Sequence, residues 1–369
     1  MTAIDRRRFL AGLAGFALAG DPAAARAREG ERYAAARFDR GDVASLALFD
    51  EAGRERAAAP LPARAHATAV SPDGRLLVTL GRRPGRYGLV HAASDLAVLG
   101  RIDPPEGRHL TGHGVFSADG RRFFTGENDP TDDRGVIGIH DTANGFARIG
   151  EWSSAGVGPH DLALASDGRR LIVANGGIGT DPATGRDLVD RATMRPNLTM
   201  LELERGEIVA QADLGADLRL SSIRHLAVAA DGEVAFGCQF EGDAADSPPL
   251  VGVWRPGREA PLLWDMPDPA LARLADYIGS VALDATGEIV AASSPRGGHV
   301  AFFARATGRF LGLGAMADVC GLAAGAGGFL ATSGAAGVRV IAPDRIGRPL
   351  AGLGEHVWDN HVTRLPARG

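Results

Sequence analysis

From residue 66 onward one pattern of polar and apolar positions recurs along the chain. A histidine or polar residue opens a run of alternating apolar positions, an Asp-Gly type turn follows, then come a second run, a Gly-rich loop and a third run. The first copy reads His66 to Val70, Ser71-Pro72-Asp73-Gly74, then Leu76 to Leu80. The second is His113 to Phe116, Ser117-Ala118-Asp119-Gly120, then Arg122 to Thr125; the third is His160 to Leu164, Ser166-Asp167-Gly168, then Leu171 to Ala174. Further copies begin at His225 with Asp231-Gly232, near Ser280 with Thr286-Gly287, and near Val319 with Gly327-Gly328, and one more starts at Asn360-His361 where the chain runs out. Period-two alternation predicts strands, and Asp-Gly supplies the positive φ angles of tight hairpins. Self-similarity at roughly 40 to 50 residues predicts propeller blades.

Three more strand-like stretches, about Tyr33 to Phe38, Val43 to Phe49 and Arg54 to Ala59, precede the first copy. The pattern therefore predicts an all-β chain folded as a seven-bladed β-propeller of the WD40/YVTN-like kind. Its C-terminal strand would complete a blade begun by the three N-terminal ones, which leaves no open sheet edge. Six blades is the alternative if the ends are assigned differently. A single propeller domain over 28–369 absorbs the mature chain, its longest interruption being the insertion from Gly176 to Met194.

Residues 1–27 follow another pattern. The paired arginines Arg6 and Arg7 stand before Arg8-Phe9-Leu10, a short apolar run from Ala11 to Ala19, and Ala25-Arg26-Ala27. That order predicts a twin-arginine signal peptide cleaved after Ala27 and a periplasmic mature protein. The run is too short to cross a bilayer, and no later stretch has 18 uninterrupted apolar residues, so no transmembrane segment is expected.

Composition narrows the chemistry. All 40 basic residues are arginine, which excludes a Schiff-base lysine and a P-loop lysine. Removing 1–27 takes away four Arg and two Asp and moves the formal charge from −5 to about −7, a balance that argues against nucleic acid as partner. Cys238 and Cys320 fall in different blades, so two buried thiols are expected rather than a disulfide. G-x-S-x-G, H-E-x-x-H and CxxC are absent, and without CxxCH there is no covalent c-type haem.

Propeller topology brings distant residues together. The start of each innermost strand and the loop joining second and third strands open on one face, and the Asp-Gly hairpins on the other. The first face receives His66, His113, His160, Asp161, Arg224, His225, Asp318, Asp359, Asn360 and His361 from strand starts. Loops add Arg82, Arg83, Arg86, Glu127, Asn128, Asp129, Asn175, Glu241, Asp243 and Arg296. Five of the ten histidines thus take equivalent positions, while His91 and His140 match each other on third strands. Imidazoles with nearby carboxylates are the ligand set of iron, copper or zinc. Histidines that merely hydrogen-bond within their blades, and a polar pocket for an organic ligand, remain alternatives. Glu127-Asn128-Asp129 and Asn175-Gly176-Gly177 are open to a reading as turn chemistry.

Several strings also look like those of a known family: Gly112-His113-Gly114-Val115-Phe116-Ser117, Gly126-Glu127-Asn128-Asp129, Gly158-Pro159-His160-Asp161, Ser222-Ile223-Arg224-His225-Leu226-Ala227, Ser294-Pro295-Arg296-Gly297 and Trp358-Asp359-Asn360-His361. Together they resemble the DUF1513 family of exported bacterial proteins over most of residues 60–362. The resemblance implies a propeller and, from gene neighbourhoods holding imelysin-like periplasmic proteins and a haem-containing thiol oxidoreductase, a role near periplasmic iron acquisition. The chain differs from the family pattern at Asp161, where Glu is usual, and at Ala65-His66-Ala67, which replaces a more His-rich string.

Three functions follow as expectations. The first is a non-catalytic periplasmic propeller that binds iron, copper or a metal complex and works with an imelysin-like partner. Its metal ligands would be His113, His160, His225 and His361, with Glu127 and Asp161 as ligands or orienting carboxylates. Arg224 and Arg296 would hold an anionic co-ligand, with Asn128, Asn175 and Asn360 lining the site. The second is a hydrolase or lactonase using the same mouth. The third is an interaction scaffold with structural histidines.

Overall fold

The protein is described by a computed structural model that covers residues 30–367 apart from 40, 181–190 and 355. The twin-arginine segment, with Arg6 and Arg7, and residues 181–190 of the insertion lie outside the described residues. Seven four-stranded antiparallel sheets form the chain. Their innermost strands are β4 (Ala65–Val70), β8 (His109–Phe116), β12 (Pro159–Leu164), β16 (Ser221–Val228), β20 (Ser280–Leu283), β24 (Val319–Gly325) and β28 (Val357–Leu365). In six sheets the strands run outward in chain order. The seventh is the shared blade: β28 is innermost, followed by β1 (Arg32–Phe38), β2 (Ala44–Asp50) and β3 (Glu55–Pro60). Seven blades with this closure is what the repeat predicts.

The recurrent turn explains why the hairpins form where they do. Ser71 Oγ donates to Asp73 Oδ1 at 2.6 Å, the same carboxylate oxygen accepts from the Arg75 amide, and Gly74 takes a φ of +68°. Ser117, Asp119, Arg121 and Gly120 repeat the arrangement one blade later. A short polar side chain thus holds the turn while glycine accepts the left-handed angle at no steric cost.

Seven apolar clusters hold the ring together, one at each junction between neighbouring sheets. Consecutive side chains therefore serve different junctions. On β22 (His299–Ala304), Phe302 packs toward the β24 blade and Phe303 toward the β16 blade, both fully buried. Each such ring contributes on the order of 2–3 kcal/mol of apolar burial. Because both faces of every sheet are covered, the second strands are apolar almost throughout, as in Leu77 to Leu80. The junction between β1 and β24 blades, built from Tyr33, Phe49, Leu330 and Trp358, is the one that closes the ring.

Cys238 and Cys320 are free and buried. Among the described residues no helix is long and apolar enough to cross a membrane.

Candidate functional site

Five histidines meet in the centre of one face: His66 from β4, His113 from β8, His160 from β12, His225 from β16 and His361 from β28. They come from five consecutive blades. His113 is the hub, its ring centroid 4.8 Å from His66, 5.2 Å from His160, 5.7 Å from His225 and 4.7 Å from His361. His66 and His361 lie 4.7 Å apart, His160 and His225 4.8 Å.

A backbone device aims these rings. The innermost strand slips register against its neighbour at His66, between Leu110 and Gly114 around His113, at His160, at Arg224 beside His225, and opposite Ala36 where Asp359 to His361 bulge. A bulge inserts extra residues, bends the strand and re-aims a side chain that regular pleating would send toward a neighbouring blade. The β24 strand is bulged as well, at Cys320-Gly321, whereas β20 is regular and carries no histidine. Gly112 makes room within the β8 bulge: its φ is +105°, and a Cβ there would sit 2.7 Å from the His66 ring.

Hydrogen bonds fix the tautomers that can be read. His113 Nδ1 lies 2.9 Å from Asp161 Oδ1, and His160 Nδ1 lies 2.9 Å from the Arg224 carbonyl. A carbonyl can only accept, and the Asp161 carboxylate is held ionised, so both histidines donate from Nδ1; His160, held neutral by burial, presents its Nε2 lone pair. Asp161 is itself steadied by the amides of Leu162 and Leu226. Its burial raises the carboxyl, but the charge and hydrogen bond of His113 outweigh that and hold it below the usual carboxylate range. Carboxylate to Nδ1 with a free Nε2 is the outer arrangement that orients a metal-binding imidazole.

Burial holds His66, His160 and His225 well below the ordinary imidazole range, and their neighbours' charges add to it. His361 is pushed down to about 3 by the same burial and by His113. These rings are therefore neutral at any ordinary pH, the form that ligates metal. Four ring nitrogens, His66 Nδ1, His113 Nε2, His225 Nδ1 and His361 Nε2, are buried without a hydrogen-bond partner. Two triads, His66 with His113 and His160, and His113 with His225 and His361, each have their donor atoms within 4.8 Å of one another. Three nitrogens sharing one ion at about 2.1 Å stand about 3.4 to 3.6 Å apart, so the rings would have to draw in by up to about 0.8 Å each.

Not every expected residue joins. Glu127, on β9 (Arg122–Asp129), is buried inside its blade, where Arg148 holds it at 2.6 Å and Thr125 donates to it; the structure does not bring it to the histidines. Asn128 bonds Thr180, in the loop joining the second and third strands of the next blade, and Asn175 bonds Ser154, Asn197 and Thr199. Asn360 and Arg224 do border the cluster, while exposed Arg296 stacks on Tyr277 at its rim. The sequence reading left His66 out of the ligand set although its place in the repeat was signal enough. Tyr277, ahead of β20, had no signal at all. His91 and His140 do the bland job: each bonds the carbonyl of a positive-φ residue, Leu96 or Phe146, in an equivalent hairpin.

The chain matches the family described as "Protein of unknown function (DUF1513)" over residues 59–365. No curated protein matches it. Among solved structures it is similar to the periplasmic gluconolactonase PpgL of Pseudomonas aeruginosa, with TM-score 0.65 and 17% identity over 91% of this chain and 99% of that one. It is also similar to the hydrazine synthase of Kuenenia stuttgartiensis, TM-score 0.55 at 15% identity over 70% of each chain. A third likeness is the Cps50 (Swd1) propeller domain of Myceliophteria thermophila, TM-score 0.55 at 14% identity over 83% and 94%. At these identities the likeness shows the fold alone.

Proposed function

The chain belongs to the DUF1513 family, and from its site we propose that it is an exported periplasmic propeller that binds iron or copper, free or as a small complex, in the five-histidine cluster. It serves as a non-catalytic accessory to periplasmic iron acquisition, beside an imelysin-like partner. One observation carries the metal reading: five imidazoles converge, four of them held neutral by burial, and four of the five bury a ring nitrogen with no partner. An unmet buried polar atom costs about 1–3 kcal/mol. An ion in the triad of His113, His225 and His361 would meet up to three of them, and neutral imidazole suits borderline transition metals. The export reading rests on Arg6, Arg7 and the run behind them; that route carries folded proteins, so the metal can be loaded before export.

The His113–Asp161 pair also has the form of an oriented general base, which is the observation favouring a hydrolase such as the gluconolactonase of similar fold. Size weighs against it. The cavity bordering His66, His160 and His225 gives a water-sized sphere about 10 Å³ in which to place its centre, enough for an ion or a single water and not for a sugar lactone.

The test is elemental analysis and a visible spectrum of protein purified from periplasm without chelator or histidine tag. About one equivalent of iron or copper is expected, and its loss in the His160→Ala/His225→Ala double variant, with the β-sheet circular dichroism kept. Protein that is metal-free and takes up no added iron or copper overturns the reading.

A further inference from the structure

We propose that a second cavity on the histidine face binds a small organic cation, an amine on a short apolar body, with its charge at Asp318 and its body against Phe38, Pro295 and Val357. The cavity measures about 250 Å³ and lies where β24, β28 and the end of β1 meet. Asn360 borders both this space and the one above the histidines, so the two lie side by side. The site is separate from the cluster and does not depend on metal there.

The bulge of β24 points to it. In five blades a slipped strand start delivers an imidazole, whereas β24 slips between Val319 and Leu322 and sets Cys320 on the wall of the second cavity. Cys320 is buried, and burial pushes its thiol up, so it stays an S–H and supplies no nucleophile. Among the described residues its sulfur and the nearby carboxylates form no convergent donor set like the histidine triads, which argues against a second metal. What remains is a pocket for an organic group. Its size falls below the roughly 300 to 1,000 Å³ of drug-sized sites, so the occupant is small.

Charge selects the sign of that occupant. Arg64, the one cation among the described residues that border the space, is committed to Asp359: its Nε and Nη2 each donate to that carboxylate at 2.9 Å. The carboxylates of Asp42 and Asp318 border the same space, and neither has a hydrogen bond or ion pair with a described residue. Partial burial raises Asp318 above the usual carboxylate range, with Arg64 pulling it down and Asp359 pushing it up. A bound ammonium would favour its charged form and make a charge-assisted hydrogen bond, while an anionic ligand would meet repulsion. Glycine at 334 makes room for this carboxylate: a Cβ there would overlap Asp318 Oδ2 and stand 3.3 Å from Val357 Cγ1. The charged group and the apolar wall are therefore adjacent. Val357 is 47% exposed and Phe38 half-buried, apolar surface that the body of the ligand would cover.

The experiment is calorimetric titration of chelator-treated protein with 2-phenylethylamine, set against 2-phenylethanol and 3-phenylpropanoate as neutral and anionic counterparts of similar size. The amine is expected to bind with a Kd below about 1 mM, the alcohol at least about five-fold more weakly, and the carboxylate more weakly still. Asp318→Asn is expected to weaken the amine about five- to ten-fold and to leave the alcohol unchanged. Asparagine tolerates the left-handed φ of +49° at this position, so the loop is kept. No binding of the amine, equal binding of amine and alcohol, or an unchanged amine affinity in Asp318→Asn overturns the proposal. Because the protein is metal-free throughout, each of these outcomes leaves the metal reading untouched.

Discussion

Acidification should destabilise the metal-free propeller far more than its carboxylates would. His66, His160, His225 and His361 are held neutral in the folded chain, with His361 at about 3, whereas the same side chains in the unfolded chain titrate near 6.5. The folded values are lowered, so the unfolded state takes up the extra protons. Stability is complete above about pH 6.5 and drains away as pH falls below it. Between pH 7.5 and 5.5 each such imidazole costs about 1.4 kcal/mol, which gives about 5 kcal/mol for four. His140, pushed down to about 4 by burial, adds a similar share. That total rivals the whole stability of many domains. Urea unfolding of chelator-treated protein at pH 7.5, 6.5 and 5.5 measures it. The His66→Gln/His361→Gln variant should show a loss smaller by about 2.7 kcal/mol, whatever its absolute stability. A loss under about 1 kcal/mol in the unmodified protein, or an unchanged pH slope in the variant, would refute the claim that these rings are buried neutral.

Three further outcomes are expected. Asp161→Asn should weaken metal binding about 10- to 100-fold with little change in fold, because it removes the charge that orients His113; equilibrium dialysis reads it, and unchanged affinity would make Asp161 a bystander. Gly112→Ala forces a Cβ against the His66 ring at a φ of +105° and should cost about 1–3 kcal/mol together with metal affinity, seen by urea unfolding and dialysis. Glu127→Gln breaks a buried pair with Arg148 and should destabilise the fold by about 3–5 kcal/mol while leaving metal stoichiometry intact; loss of metal from a folded variant would return Glu127 to the ligand set.

How much of this was legible in the sequence depends on whether the signal is local. The blades were, because Ser-x-Asp-Gly turns and period-two runs each carry their own geometry, and Ser71 to Gly74 behaves in the structure as the string suggests. Ring closure was legible by counting: three strands too many at Tyr33 to Ala59 and three too few beyond the single strand at His361. The face on which the strand starts gather follows from topology alone. Depth within that face does not. Glu127 was placed with the histidines on proximity along the chain, yet its side chain points into the blade, toward Arg148 on the outermost strand. One residue of register decides between those two directions, and sequence alternation does not set register at a bulge.

The bulges themselves explain both the success and the miss. An unbroken strand from Ala65 to Val70 would assign His66 to one face by parity, and the family string, weaker there, argued the same way. The structure slips register at that point and sends the ring inward, as it does in the other four histidine blades. Irregularity and imidazole coincide in five blades, the regular β20 lacks both, and β24 is bulged without a histidine. Duplication alone would copy a histidine or a bulge, but it does not require four of the five rings to bury a nitrogen with nothing to bond. His91 and His140 each close their own hairpin through Nδ1, and His91 too leaves its Nε2 buried without a partner, so convergence of five rings rather than an unmet nitrogen is what sets the central group apart. The central five instead point at one another, and it is this convergence of buried rings on one place that the proposed metal centre rests on.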